Sequence, residues 1–138
     1  MSELDKKIYN AIKRLDWYFG QHKYIICGSV GLYMQGIDLG REPHDLDLII
    51  PGKKRFGLFR LFNIVKKRSG FILDFPLRPL EDNEEVKVID FNGLTVKVQT
   101  KEDILKCKEI IVEKHLYYDN GMEKQKQDIE KIKNIIYE

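Results

Sequence analysis

Several features that would place a protein outside the ordinary globular class are scarce in this sequence. Its two cysteines, Cys27 and Cys107, are too few for a disulfide framework, so we expect free thiols and a cytoplasmic protein. No stretch approaches the roughly 20 apolar residues of a membrane span, and the charged N-terminus lacks the apolar run of a signal peptide. Lys and Arg nearly balance Asp and Glu, and the net charge of +2 does not by itself indicate a nucleic-acid partner.

The composition that remains is typical of a folded protein. The chain has 138 residues, of which 43% are hydrophobic and 33% are charged, and these values fall within the range of ordinary globular proteins. A chain of this length can bury a core of its own. We therefore expect a single domain over residues 1–138.

Hydrophobic periodicity predicts the secondary structure. Apolar runs at residues 24–27, 45–50 and 71–75 predict strands, and two further runs around the Asn92-Gly93 turn predict an antiparallel hairpin. Apolar residues at helical spacing predict helices at residues 4–19, 30–37, 53–68, 100–115 and 122–137, the first capped by Ser2 and ended by Gly20. The order α-β-α-β-α-β-β-β-α-α predicts an α/β (α+β) fold, with a mixed sheet of about five strands flanked by helices.

The most informative stretch begins where the first strand ends. Gly28 and Ser29 lead into a predicted helix, and Asp45 and Asp47 follow on the next strand. Residues i and i+2 of a strand point to the same face, so these two carboxylates lie side by side and repel each other unless a cation is present. Mg²⁺ is such a cation, since it takes one or two carboxylates and completes its shell with water and substrate phosphates. A glycine and a helix start are suited to a phosphate that approaches the backbone.

This pattern resembles the signature of the nucleotidyltransferase (polymerase-beta-like) superfamily, which is a Gly-Ser or Gly-Gly pair followed by an acidic, hydrophobic, acidic triplet. Here the pair is Gly28-Ser29 and the triplet is Asp45-Leu46-Asp47. Arg41, which precedes the triplet, makes the chain most similar to the abortive-infection-type and antibiotic-modifying members. The resemblance covers residues 23–132 and implies a nucleotidyltransferase fold.

The resemblance also implies further site residues. It places a third carboxylate on a later strand, where this chain has Asp74, and an inward lysine on the helix after the hairpin, where it has Lys108. A Lys-x-x-x-Asp-Ile element of the family is matched by Lys124, Asp128 and Ile129.

The roles that the resemblance implies fall into two groups. Asp45 and Asp47 would bind Mg²⁺ or Mn²⁺, and Asp74 would join them and help to activate the attacking hydroxyl. Residues that would contact the nucleotide, with Gly28 and Ser29 on the triphosphate, are Gly28, Ser29, Arg41, Lys108 and Lys124.

Simpler interpretations of these residues remain open at the level of sequence. Asp74 could form a surface ion pair with Arg78, and Arg41 could be an ordinary loop charge. Lys108 could extend beside the sheet without a ligand. Lys124 and Asp128 stand four residues apart, the spacing of an ion pair along one helix face.

We therefore predict an enzyme that uses Mg²⁺ to transfer a nucleoside monophosphate from a nucleoside triphosphate such as ATP to a hydroxyl of a small molecule, protein or RNA. The alternative is a non-catalytic interaction module of the same fold, such as one component of a toxin–antitoxin pair, acting as a homodimer or with a partner chain. Its motivation is the shortness of the chain, which leaves no room for a separate acceptor-binding domain. A nucleic-acid binder, suggested only by the basic runs at residues 53–55 and 66–68, ranks last.

Overall fold

The computed structural model describes residues 1–50, 58–74, 85–115 and 119–137, and it has the predicted order of helices and strands. The start of the helix predicted from residue 53 and the suggested partner Arg78 lie outside the described residues. The elements are α1 Glu3–Phe19, β1 Ile25–Cys27, α2 Gly28–Met34, β2 Asp45–Ile49, α3 Leu58–Ser69, β3 Ile72–Asp74, β4 Val86–Phe91, β5 Leu94–Gln99, α4 Lys101–Glu113 and α5 Asp119–Ile136.

Local signals set the ends of the helices. The Ser2 hydroxyl accepts a hydrogen bond from the backbone N–H of Asp5 at 3.0 Å, and Gly20, at φ 95°, ends α1 as expected. The predicted helix at residues 30–37 is displaced to Gly28–Met34. It ends early because Gly36, at φ 86°, leaves the helical region, and it starts early because Cys27 in extended conformation serves as its N-cap.

The sheet has the strand order β3-β2-β1-β5-β4 in the described structure. The pairs β2–β3 and β1–β5 are parallel, whereas β1–β2 and β4–β5 are antiparallel, so the mixed α/β architecture is confirmed. The β4–β5 hairpin turns at Asn92 and Gly93, whose φ values of 51° and 94° are the positive angles that a two-residue turn of this kind requires.

The two faces of the sheet have different partners. Alternate residues of β2, Leu46 and Leu48, pack with the apolar faces of α1 and α3 in the larger core cluster. A second cluster joins Leu32 of α2 to Ile104 of α4 and Ile132 of α5. Because side chains alternate along a strand, Asp45 and Asp47 lie on the face opposite α1 and α3. None of the described helices combines the length and apolarity needed to cross a bilayer.

Candidate functional site

Three carboxylates lie on neighbouring strands of the sheet. Asp45 and Asp47 are on β2, and Asp74 ends β3 directly opposite Asp47 in the parallel register. Residues paired in this way project to the same side of a sheet. All three line one cavity of about 310 Å³, in which Asp47 is partly buried while Asp45 and Asp74 are exposed.

The electrostatics of this cluster centre on Asp47. Its pKa is raised from the ordinary 3.8 to about 7. Burial is the largest cause, the negative charges of Asp74 and Asp45 add to it, and the positive charges of Lys108 and Lys124 oppose it with a smaller effect. The ionised form of Asp47 is therefore disfavoured when no cation is present. A bound divalent cation would reverse this balance, because it favours the ionised carboxylate.

Gly28 makes room for the carboxylate of Asp47. Its φ is +65°, a left-handed conformation that L side chains rarely adopt, and a Cβ at this position would lie 2.0 Å from Oδ2 of Asp47. The sequence suggested that this glycine admits a phosphate. The structure gives a further reason for a glycine at this position, because a side chain here would collide with the carboxylate of Asp47. Gly28 also lines a second cavity, which adjoins the first.

A buried network holds two of the predicted cationic residues. The two terminal nitrogens of Arg41 each donate to one carboxylate oxygen of Asp128, both at 2.7 Å. Nζ of Lys108 donates to Oδ2 of Asp128 at 3.1 Å and to Oε1 of Gln125 at 3.0 Å. Arg41 is therefore fixed by an ion pair and is not an ordinary loop charge, and Lys108 is held by Asp128 and Gln125. Contact of either residue with a nucleotide stays a prediction.

The contacts of Asp128 correct one expectation about Lys124. The helix pair between these two residues is not formed in the part of the chain that the structure describes, because Asp128 is fully buried and faces Arg41 and Lys108. Lys124, one turn earlier on α5, is exposed and lines the cavity of the three carboxylates.

The predicted site residues thus come together in space. His44, the residue before β2, also lines the cavity. Its backbone carbonyl accepts a hydrogen bond from the N–H of Ile72 at 3.0 Å, which joins the start of β2 to β3. Gly28 lines the adjoining cavity. The predicted residues that share the first cavity are Ser29, Arg41, Asp45, Asp47, Asp74, Lys108 and Lys124.

The donor set fits a hard cation that is shared with a ligand. Within the described ranges, no group of three or more His, Cys, Asp or Glu side chains is arranged to hold a metal ion by itself. Mg²⁺ does not need such a cage, because it usually takes one or two carboxylates and leaves its other positions to water and phosphates. The pair Asp45 and Asp47 offers those carboxylates at an open cavity, and Arg41, Lys108 and Lys124 offer positive charge for phosphates there.

A second, more apolar cavity of about 200 Å³ adjoins the first. Asp47, Asp74, Lys108 and Gln125 line both cavities, so the carboxylates stand between them. Its remaining walls are Cys27, Gly28, Gln99, Ile104, Cys107 and Ile111.

Comparisons with known proteins bear on the fold. No family model and no curated protein sequence matches the chain. A solved structure does match: the crystal structure of an antigenic nucleotidyltransferase-like protein from Paracoccidioides brasiliensis, with a TM-score of 0.61 over 96% of this chain and 76% of that chain. The chain has a nucleotidyltransferase-like fold. The two sequences are 19% identical, so this likeness concerns the fold and does not distinguish the abortive-infection or antibiotic-modifying subtype.

Within this nucleotidyltransferase-like fold, two residues of α5 hold the Lys108 ammonium group, a contact that the sequence did not predict. Gln125 and Asp128 contact Lys108, and both are buried on α5. The sequence nevertheless indicated that Gln125 and Asp128 would be buried, because both fall on the same face of α5 as the buried Met122 and Ile132. Polar residues on an apolar stripe need partners, and this need indicates a buried polar network.

Proposed function

We propose that this chain is a Mg²⁺-dependent nucleotidyltransferase, which moves a nucleoside monophosphate from a nucleoside triphosphate to a hydroxyl of an acceptor. The observation that carries the proposal is the shared cavity, which is lined both by the carboxylates of Asp45, Asp47 and Asp74 and by basic side chains. Carboxylates that repel one another beside a source of positive charge suit a metal–triphosphate complex.

Each set of residues has a part in this proposal. Asp45 and Asp47 would hold the cation, which supplies charge stabilisation for the phosphates when it is bound. Asp74 accepts a hydrogen bond from the acceptor hydroxyl and takes its proton as the oxygen bonds to the α-phosphorus and pyrophosphate leaves. Ser29, which is half-buried, and Lys124, which is exposed, line the cavity and would contact the triphosphate directly.

Transfer should depend on a divalent metal and on Asp45. We expect the chain, given labelled nucleoside triphosphates, Mg²⁺ or Mn²⁺ and candidate acceptors, to release pyrophosphate and label an acceptor, and we expect EDTA to abolish both. Asp45→Asn should lower the rate at least about a hundredfold, because a preorganised charge at the reacting centre is typically worth this much. Because Asp45 is exposed, the substitution should leave folding intact.

The matched control is Glu42→Gln. Glu42 is a carboxylate that lines the same cavity but belongs to the loop before β2 and pairs with Lys7 at 3.0 Å. Its removal should leave the rate within a few-fold of wild type. Full activity of Asp45→Asn would overturn the proposal. A nucleotide that raises the melting temperature only with Mg²⁺ would argue against a mere interaction module.

Lys124→Ala should weaken nucleoside triphosphate binding about tenfold without a change in melting temperature. The side chain is exposed and has no role in the buried network, whereas a charged hydrogen bond to a phosphate is worth about 1.5 kcal/mol or more. Calorimetric titration measures the affinity. Lys126→Ala, an exposed lysine on the same helix that does not line the cavity, is the control and should bind as wild type does. Equal affinities of the two variants would remove Lys124 from the site.

A further inference from the structure

Asp128 stands behind the candidate site and does not line either cavity. Its side chain is 0% exposed on α5. It nevertheless receives three hydrogen bonds from two residues that do line the first cavity, two from Arg41 at 2.7 Å and one from Lys108 at 3.1 Å. A loop residue, an α4 residue and an α5 residue are thereby joined at one carboxylate.

The charges of this network do not cancel. With Lys108 protonated, one carboxylate faces one guanidinium and one ammonium group, so this network carries one net positive charge beside the carboxylates of the first cavity. Burial raises the pKa of Asp128, but the hydrogen bonds from Arg41 and the charge of Lys108 outweigh it, so the pKa lies below the ordinary value. Burial lowers the pKa of Lys108, and Asp128 opposes this effect. Asp128 is thus the main group that favours a charged Lys108 in a buried place, with a smaller contribution from Asp47 and an opposing one from Arg41.

Stability alone is a weak reason for this arrangement. Apolar contacts among Leu32, Ile104 and Ile132 already pack α5 against α4 and α2. A surface pair between Lys133 and Glu109 also joins α5 to α4. Buried ion pairs can often be replaced by apolar residues without loss of stability, so a buried charged network beside a cavity calls for another role.

We propose that Asp128 is a positioning residue, which holds Arg41 and Lys108 at the cavity wall in the orientation that receives the phosphates of the nucleoside triphosphate. This inference rests on the proposed function, since it takes the ligand to be a triphosphate. The bidentate contact fixes the plane of the Arg41 guanidinium, and the second hydrogen bond of Lys108, to Gln125, fixes its ammonium group. Ordered donors bind phosphate without a further loss of side-chain freedom.

Asp128 could instead compete with phosphate for Arg41, and this role predicts the opposite change in nucleotide affinity when Asp128 is neutralised. A carboxylate that merely competed with phosphate for Arg41 would weaken nucleotide binding, and its neutralisation would tighten binding through the added positive charge. A positioning carboxylate does the reverse, because without it Arg41 loses its orientation and Lys108 loses the charge that favours its protonated form. The sign of the change in affinity therefore separates the two roles.

The experiment titrates the chain with each of the four ribonucleoside triphosphates and with its monophosphate, in the presence of Mg²⁺. We expect wild type to prefer a triphosphate, and Asp128→Asn to lose about 10- to 100-fold of that preference while its affinity for the monophosphate hardly changes. Ile132→Ala is the control for destabilised α5 packing, since it should lower the melting temperature at a fully buried apolar position whose side chain makes no hydrogen bond to the network. Glu109→Gln is the control for the surface pair. Both should keep the wild-type preference.

A second comparison keeps the test decisive if Asp128→Asn does not fold. The single variant Lys108→Met keeps the ion pair between Asp128 and Arg41. The double variant Lys108→Met with Asp128→Asn removes this ion pair, and it leaves no buried charge at position 108 or at position 128. We expect the double variant to bind the triphosphate about tenfold more weakly than the single variant. Equal affinities, or tighter binding after loss of Asp128, would overturn the inference alone. A wild-type chain with no preference for any triphosphate would overturn the proposed function as well.

Discussion

Asp47→Asn is expected to abolish nucleotidyl transfer and at the same time to stabilise the metal-free protein at pH 8. Transfer should fall by about 100- to 1,000-fold or more, because the partly buried carboxylate of the proposed metal pair is lost. Stability should rise because burial, together with the charges of Asp74 and Asp45, disfavours ionised Asp47 in the folded chain. The amide has a similar shape and carries no charge.

The effect on stability depends on pH in a defined direction. The pKa of Asp47 is about 7 in the folded protein, against the ordinary value of 3.8 that applies to the unfolded chain. The folded chain therefore binds the carboxyl proton of Asp47 more tightly than the unfolded chain does. Its contribution to stability is therefore fully present below about pH 4 and is lost as the pH rises to about 7. The loss is at most about 4 kcal/mol above pH 7, and Asp47→Asn should recover a part of it.

Thermal unfolding without metal, measured from pH 4 to pH 8, tests this expectation. The melting temperature of Asp47→Asn should exceed that of wild type by several degrees at pH 8 and should approach it at pH 4. Asp45→Asn is the matched control, since it removes an exposed charge from the same strand and should give a smaller rise. Added Mg²⁺ and nucleotide should stabilise wild type only. If the wild-type chain were no less stable than Asp47→Asn at pH 8, ionisation of the Asp47 carboxylate would not destabilise the folded protein, and this expectation would be wrong.

The fold was predictable where short stretches of sequence carry the physical signal. The Ser2 cap, the Gly20 stop and the Asn92-Gly93 turn act within a few residues, and each was found where it was expected. The ends of α2 were misplaced because they depend on the backbone conformations of Cys27 and Gly36, which apolar spacing does not reveal.

The site was predictable only in part, because some of its contacts join residues that are far apart in the sequence. Strand alternation alone places Asp45 and Asp47 side by side. The family resemblance suggested Asp74 as a third carboxylate, but its place opposite Asp47 depends on the parallel pairing of β2 with β3, which was not predicted from the sequence. The partners of Asp128 lie 87 and 20 residues away. Such long-range pairing was hidden by a local alternative, because Lys124 stands at the spacing of a helix ion pair.

Gly28→Ala is expected to inactivate the protein at a modest cost in stability. The left-handed φ of +65° disfavours alanine by about 1 kcal/mol, and the new Cβ would lie 2.0 Å from Oδ2 of Asp47. The new Cβ would also lie 2.9 Å from Cγ and 3.1 Å from Cβ of Asp47, so the whole side chain should shift and take the carboxylate with it. The total loss of stability should be about 1–3 kcal/mol. A displacement of the order of 1 Å at a reacting centre can lower the rate about a hundredfold.

Gly36→Ala separates the clash from the backbone strain. Gly36 follows the same short helix and has a φ of +86°, but a Cβ there would meet nothing within 4 Å. This variant should therefore lose about 1 kcal/mol of stability and keep its transfer rate. Chemical denaturation and the transfer assay, applied to both variants, give the two differences. If Gly28→Ala retained the activity of Gly36→Ala, the position of the Asp47 carboxylate would not matter for the reaction, and the proposed metal pair would have to be abandoned.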